Sequence, residues 1–250
     1  TFKRNNEVLH SNNKVRDLNA DSLNKPVFDD FFDQNGDFNN VKSFFPISTT
    51  IGCTWNKCKF CYYKVHSKYK QKKVSQIVNE IKEHHQNYNA NNFVFLDTNF
   101  VGENGRIEDL LDALIKLSSN IQLNYVAELI PFNLTSEIIK KIVIAGFKKV
   151  EIGYEAISDS LLEKMNKRNS FSDNIHFVKF ALKFGLNISG CINLITEIPE
   201  ETESDVIESI NNLHFLRFFL KDENFYHNIS QLGIIKGTRY FNIIRSEERK

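Results

Sequence analysis

Six times between residues 44 and 241 the chain passes from a short run of β-branched and aromatic residues to apolar residues at helical spacing. That alternation restricts the fold more than any other feature. The strand-like runs are 44–51, 93–96, 123–128, 149–155, 188–195 and 229–235. Between them lie helical patterns such as Val74, Ile77, Val78 and Ile81, then Ile107, Leu110, Leu111 and Leu114, then residues 138–145. Thr135 is placed to cap the third helix and Gly146 to end it. Ser158 and Asp159 lead into a short helix ending near Met165, and Ser172 is expected to open the next, which Gly185 closes. A last helix runs through Val206, Ile207, Ile210, Leu213 and Leu216. Repeated βα units predict a parallel sheet, and an eight-fold barrel takes about 250 residues, more than this span offers. The expected fold is therefore α/β, a partial open (β/α)6 TIM-like barrel with mostly parallel strands over residues 44–250.

Residues 1–43 are rich in Asn and Asp, with a turn signal at Asn35-Gly36 and no sustained period. They read as a linker or lead-in, with Phe28, Phe31 and Phe32 packing on the barrel. His84 and His85, at the far end of the first helix, are expected at the surface.

Composition narrows the partners. With 41% hydrophobic and 25% charged residues the chain can bury one sizeable core. A formal charge of +1 gives no electrostatic footprint for general nucleic-acid binding, although it does not exclude a nucleic-acid substrate. No apolar segment at the start or elsewhere is long enough to cross a bilayer, so no membrane partner is expected. A polar start without Met suggests a piece of a longer protein.

Three of the four cysteines, Cys53, Cys58 and Cys61, fall within nine positions, in the loop after the first strand. Chance or a disulfide framework explains that grouping poorly, whereas ligation of one metal centre explains it directly. Such a cluster of thiols fits a reducing cytoplasm. Three ligands are fewer than the four that close a structural zinc site or a simple electron-transfer cluster. Two readings follow: a cubane iron-sulfur cluster with one iron left open, or zinc on the same thiols plus His66. Cys191, mid-strand among apolar residues, reads as a buried inert thiol.

The loop, with Phe60 directly before the last cysteine, resembles the signature of the radical S-adenosylmethionine (SAM) superfamily, C-x3-C-x-aromatic-C, with one extra residue between Cys53 and Cys58. Further segments are similar to the branch shared by methylthiotransferases and cobalamin-dependent enzymes. Glu151-Ile152-Gly153-Tyr154-Glu155-Ala156, continued by Leu161 to Lys167, resembles that branch's G-x-E-S segment, with Ala156 in place of Ser. Gly190, Ile192, Leu194 and Glu197 resemble its adenine-stacking pattern, with Leu194 in place of Gly. In the following loop Glu197 and Glu200 stand where the branch has glycines. Asp97-Thr98-Asn99 stands where relatives carry G-G-E, and Gly237-Thr238-Arg239-Tyr240 resembles the closing segment.

The resemblance implies an enzyme holding a [4Fe-4S] cluster on Cys53, Cys58 and Cys61. It would cleave SAM reductively to methionine and a 5′-deoxyadenosyl radical that abstracts hydrogen from a substrate. Glu155 would bind the ribose, Lys167 or Arg168 the methionine carboxylate, Asp97 and Thr98 the amino group, and Ile192 the adenine. Phe60 and Tyr62 would shield the cluster or the adenine. Implied partners are an electron donor such as flavodoxin or ferredoxin and a substrate, with a peptide or small molecule favoured. The lead-in before the barrel resembles that of cobalamin-type enzymes, which implies methylation or peptide modification assisted by cobalamin on a domain absent from this chain. The rival is a non-catalytic zinc- or iron-sulfur-binding structural or redox-sensing module.

Overall fold

The computed structural model describes residues 2–4, 7–9, 20, 25–29, 44–62, 69–103, 105–188, 192–220 and 227–247. In chain order the elements are strands β1 (Phe2–Arg4), β2 (Glu7–Leu9), β3 (Phe45–Ile47), β4 (Thr50–Ile51) and β5 (Lys70–Gln71), then helix α1 (Val74–Tyr88), β6 (Asn92–Phe95) and α2 (Arg106–Ser118). There follow β7 (Asn124–Leu129), α3 (Ser136–Ala145), β8 (Phe147–Glu155), α4 (Asp159–Lys164) and α5 (Phe171–Phe184). Last come β9 (Ile192–Thr196), α6 (Glu203–Leu220), β10 (His227–Gln231) and α7 (Arg239–Glu247).

Six strands form one sheet in the order β10-β9-β8-β7-β6-β3, every neighbouring pair parallel. Chain order and sheet order coincide, the arrangement that successive βα units produce. The first and last strands are not paired with each other, so the sheet stays an open partial barrel, as the sequence predicts. Among the described residues no helix is long and apolar enough to cross a membrane.

The core lies between the sheet and its helices. Odd residues of β6 and β7, among them Phe93, Phe95, Tyr125 and Ala127, are buried against helical residues such as Ile77, Ile81, Leu110, Leu114, Ile138 and Ile142. Burial of each such aliphatic side chain contributes roughly 2 kcal/mol. An aromatic group tightens the centre, with Phe95 and Phe100 ring centroids 4.6 Å apart and Tyr125 and Phe147 5.3 Å apart. Alternation then sends Val94, Leu96, Val126 and Glu128 to the concave face, where Leu96 is 59% exposed. That face is open rather than packed under helices.

Several local expectations change. The first strand is not continuous over 44–51: it breaks after Ile47, and Thr50–Ile51 pairs antiparallel with Lys70–Gln71. Asp97 takes over this backbone, its Oδ1 accepting from Thr49 N at 2.9 Å and Thr50 N at 2.6 Å. The α5 cap is Ser170 rather than Ser172. Its hydroxyl accepts from Asp173 N while the Asp173 carboxylate accepts from Ser170 N, so both donors are satisfied. Strand five runs one residue further than read, to Thr196, and its expected start at Ser189 to Cys191 lies outside the described residues.

His84 is not at the surface. It is 3% exposed, beneath Phe28 at a centroid distance of 5.2 Å, with Phe45 and Tyr88 beside it. The lead-in thus sends one aromatic anchor onto α1 as expected, helped by Lys25 paired with Glu83 and by Tyr88 donating to Asp29 at 2.7 Å. His85 is half-buried. Phe31, Phe32, His66 and the Asn35-Gly36 turn lie outside the described residues.

Candidate active site

Cys53, Cys58 and Cys61 follow directly from β3 and β4, and none is half of a disulfide. Three separate segments fix their loop. Thr98, just past β6, donates its hydroxyl to Gly52 O at 3.0 Å. After α4, Met165 O accepts from Lys59 N at 2.9 Å, Asn166 O accepts from Trp55 Nε1 at 2.7 Å, and Asn166 Nδ2 donates to Lys57 O at 3.1 Å. At the start of α7, Arg239 N and Tyr240 N both donate to Lys59 O, at 3.0 and 3.2 Å. The closing segment singled out in the sequence therefore works as a clamp on the cysteine loop. Lys59 itself pairs with Glu200, on the loop after β9.

The three thiols line one cavity of about 530 Å³, within the range of small-molecule sites. Its other walls come from residues at and beyond the carboxyl ends of the strands: Asp97 and Thr98 after β6, Glu128 on β7, Glu155 on β8 and Lys167 after α4. Phe60, Tyr62 and Leu96 add apolar surface. Parallel strands make this convergence automatic, because every βα loop opens at the same end.

Electrostatics in the cavity are dominated by one buried pair. Lys167 Nζ donates to Glu155 Oε1 at 3.2 Å, and the ammonium also lies 5.8 Å from the Phe60 ring centroid. Glu155 holds φ of 63°, a left-handed conformation unusual for a side chain with a Cβ, beside an irregularity in the β8–β9 register. Glu197, at the end of β9, likewise keeps φ of 62° without being glycine, and its amide donates to Glu201 Oε2 at 2.9 Å. Burial pushes the Cys58 thiol up to about 11, and the neighbouring Cys61, Cys53 and Glu155 add to this while Lys167 opposes it. Burial also raises the Asp97 carboxyl, against the hydrogen bonds from Thr50 and Thr49. Its Oδ1 serves the turn before β4, accepting also from Thr50 Oγ1 at 2.7 Å, whereas Oδ2 is buried without a partner. Glu128 is raised by desolvation and by the nearby Glu155 charge.

The sequence candidates separate accordingly. Cys53, Cys58, Cys61, Phe60, Asp97, Thr98, Glu155 and Lys167 share one cavity. Arg168, the alternative to Lys167, does not: it lines a smaller neighbouring hollow and lies over Phe132, 4.1 Å from the ring centroid. Ile192 sits on β9 by its backbone, and its side chain lies outside the described residues, as does Cys191. Glu128 and Glu151 were not foreseen as cavity residues. Period-two reading of β7 and β8 puts both on the concave face, and that signal was available in the sequence.

Among the described residues no three His, Cys, Asp or Glu side chains converge on a single ion. Three thiols lining one cavity supply the kind of donor an iron-sulfur cluster takes, while His66, the fourth ligand of the zinc reading, lies outside the described residues.

The model of the Radical SAM superfamily matches residues 47–213, from β3 into α6. A protein of Pyrococcus horikoshii, "Uncharacterized methyltransferase PH0819", is 25% identical over 216 residues, 84% of this chain and 45% of its own. The ribosomal protein uS12 methylthiotransferase RimO of Clostridium acetobutylicum is 27% identical over 198 residues, 75% of this chain and 41% of its own. The chain thus spans less than half the length of these relatives. Among solved structures, the radical S-adenosylmethionine methyltransferase TsrM of Kitasatospora setae, with cobalamin and a [4Fe-4S] cluster bound, superposes with a TM-score of 0.70. Its identity is 18% over 82% of this chain and 37% of that one, a likeness of fold. With the family match running through the cysteine loop and five of the six sheet strands, the chain belongs to the radical SAM superfamily of enzymes.

Proposed function

We propose that this chain is the catalytic barrel of a radical SAM methyl- or methylthio-transferring enzyme. The observation that carries this reading is the joint placement of Cys53, Cys58 and Cys61 with the Glu155–Lys167 pair around one cavity. Cys53, Cys58 and Cys61 would hold a [4Fe-4S] cluster, which when bound supplies the electron that splits SAM into methionine and a 5′-deoxyadenosyl radical.

The protein's own groups bind and orient. Lys167 offers its ammonium to the methionine carboxylate, while Glu155 accepts from the ribose hydroxyls. Thr98 and the Asp97 Oδ2, left without a protein donor, face the amino group. Phe60 and Tyr62 keep water away from the reacting atoms.

Methyl transfer is favoured by the names of the relatives, one a methyltransferase and one a methylthiotransferase acting on a ribosomal protein. The substrate is a peptide or small molecule, and any cobalamin would sit on a part of the protein beyond this chain. Three clustered thiols outside any disulfide suit a reducing compartment such as the cytoplasm.

Anaerobic reconstitution with iron and sulfide tests the cluster. About four irons and four sulfides per chain, with an electron paramagnetic resonance signal that changes on adding SAM, support the reading. One zinc per chain and no sulfide would favour the structural-metal rival.

A further inference from the structure

Charge is unevenly spread around the cysteine cavity. Among the described residues its wall carries four carboxylates, Asp97, Glu128, Glu151 and Glu155, against one ammonium, that of Lys167, which Glu155 already holds. Asp97 is 3% exposed and its Oδ2 has no partner, so the cavity keeps a buried acceptor that lacks a donor. The amino group of SAM answers that acceptor in the function proposed above, and Glu128 is left over. It stands opposite Glu151 in the parallel register of β7 and β8, so two carboxylates share the concave face on strands about 4.8 Å apart. Glu151 has Lys149 at 3.2 Å, in an exposed pair of the kind that contributes little. The Glu128 carboxylate has neither a hydrogen-bond donor nor a salt-bridge partner among the described residues. Desolvation in the cavity raises its carboxyl above the usual range, Glu155 and Glu151 add to this, and Lys167 opposes it. A carboxylate with a structural task gathers donors, as Asp97 Oδ1 gathers the Thr49 and Thr50 amides. Glu128 gathers none, and beside it Val94, Leu96 and Val126 form an apolar strip on the same face.

We propose that Glu128 determines specificity for a substrate that carries an alkylammonium group, whether a free amine or a lysine side chain, with its aliphatic stem along Val94, Leu96 and Val126. The proposal rests on the catalytic reading, since it names the substrate class for that same cavity. An ammonium brings three donors and no acceptor, so one group serves Glu128 and Glu151 together and relieves the repulsion between them. A neutral substrate leaves Glu128 without a partner, and an anionic one adds a further like charge to a wall already short of cations. The charge of the wall thus selects by rejecting as well as by attracting.

Pentylammonium, pentanol and pentanoate share one chain length and differ in charge. Each is titrated into the full chain, with and without reconstituted cluster, and followed by saturation-transfer NMR. Pentylammonium should bind about tenfold or more tightly than pentanol, and pentanoate more weakly than either. Glu128→Gln should bring pentylammonium down to the pentanol level, while SAM affinity by calorimetry stays within about threefold of wild type. Its melting temperature should hold or rise, because a repelled charge has been removed; a merely structural residue would instead lower the melting temperature and leave the amine preference intact. Equal affinities for pentylammonium and pentanol in the wild type, an amine preference untouched by Glu128→Gln, or a loss confined to SAM overturns the proposal. A glycine peptide with a central lysine is then competed against pentylammonium. Displacement assigns the site to a peptide-borne lysine and its absence to a free amine, and either result upholds the charge preference. If the reconstituted chain yields no 5′-deoxyadenosine with dithionite, the catalytic reading fails instead, and the preference for a cation is still decided by the titration.

Discussion

Lys167 Nζ lies 3.2 Å from Glu155 Oε1 in the wall of the cysteine-lined cavity, with the lysine side chain 4% exposed and the glutamate 14%. Removing one member leaves the other buried and unpaired. Lys167→Met is therefore expected to lower unfolding free energy by about 3 kcal/mol, and Glu155→Gln by a comparable amount. The double variant should lose clearly less than the sum, measured by denaturant unfolding of the four proteins. Strict additivity would show that the pair carries no interaction energy. In the same set, SAM affinity by calorimetry should fall at least tenfold in Lys167→Met.

Gly153 lies under that pair: a Cβ there would stand 2.9 Å from Glu155 Oε1 and 3.3 Å from Lys167 Nζ. Both are tips of flexible side chains, so Gly153→Ala should leave the melting temperature nearly unchanged while displacing the carboxylate and weakening SAM binding. Gly146→Ala makes the contrast. There φ is 105° and the added Cβ would meet the backbone oxygen of Leu123 at 2.6 Å, which cannot move without disturbing β7. A loss of about 2 kcal/mol or more is expected in calorimetric unfolding. Equal melting temperatures for the two variants would contradict the argument.

Burial holds His84 below the usual imidazole range, against the pull of Glu80 and Glu83, with Lys25 and Lys72 adding to the depression. The folded chain then takes up this proton at lower pH than the unfolded chain does. Between the two values the unfolded state binds more protons, so stability rises with pH in that window and falls on acidification below about pH 6.5. Wild type should lose stability relative to His84→Phe between pH 7.5 and pH 5, followed by urea unfolding. A difference independent of pH, or one of opposite sign, would show that His84 titrates normally.

Cys58→Ala should abolish cluster loading, whereas Cys191→Ala should leave iron and sulfide at the wild-type level. The check is iron and sulfide content after reconstitution. Loss of the cluster in Cys191→Ala would refute the assignment of ligands.

Periodicity carried most of the fold. All six sheet strands and the helices from α1 to α6 are legible as alternating two- and 3.6-residue patterns, because a parallel sheet buried under helices demands both. What was missed depended on distant partners. His84 reads as a surface residue until Phe28, far earlier in the chain, covers it. The break in the first strand is set by Asp97, about fifty positions later, whose carboxylate gathers the Thr49 and Thr50 amides.

The site was legible to a similar degree. The cysteines announce themselves by spacing and Glu155 by the resemblance of its segment, and the parallel topology brings Asp97 and Thr98 to the same mouth. That Lys167 lines the cysteine cavity and Arg168 the smaller hollow is visible only in three dimensions, because the two are neighbours after α4. Glu197 stands where the resembling branch has glycine, and it keeps the left-handed backbone that glycine favours, with its amide donating to the Glu201 carboxylate.

The most direct measurement is the yield of 5′-deoxyadenosine when the anaerobically reconstituted chain is mixed with SAM and dithionite and the products are separated by chromatography. The account predicts 5′-deoxyadenosine from wild type and none above background from Cys58→Ala. A fully loaded wild-type chain that leaves SAM intact, or cleavage undiminished in Cys58→Ala, would contradict it.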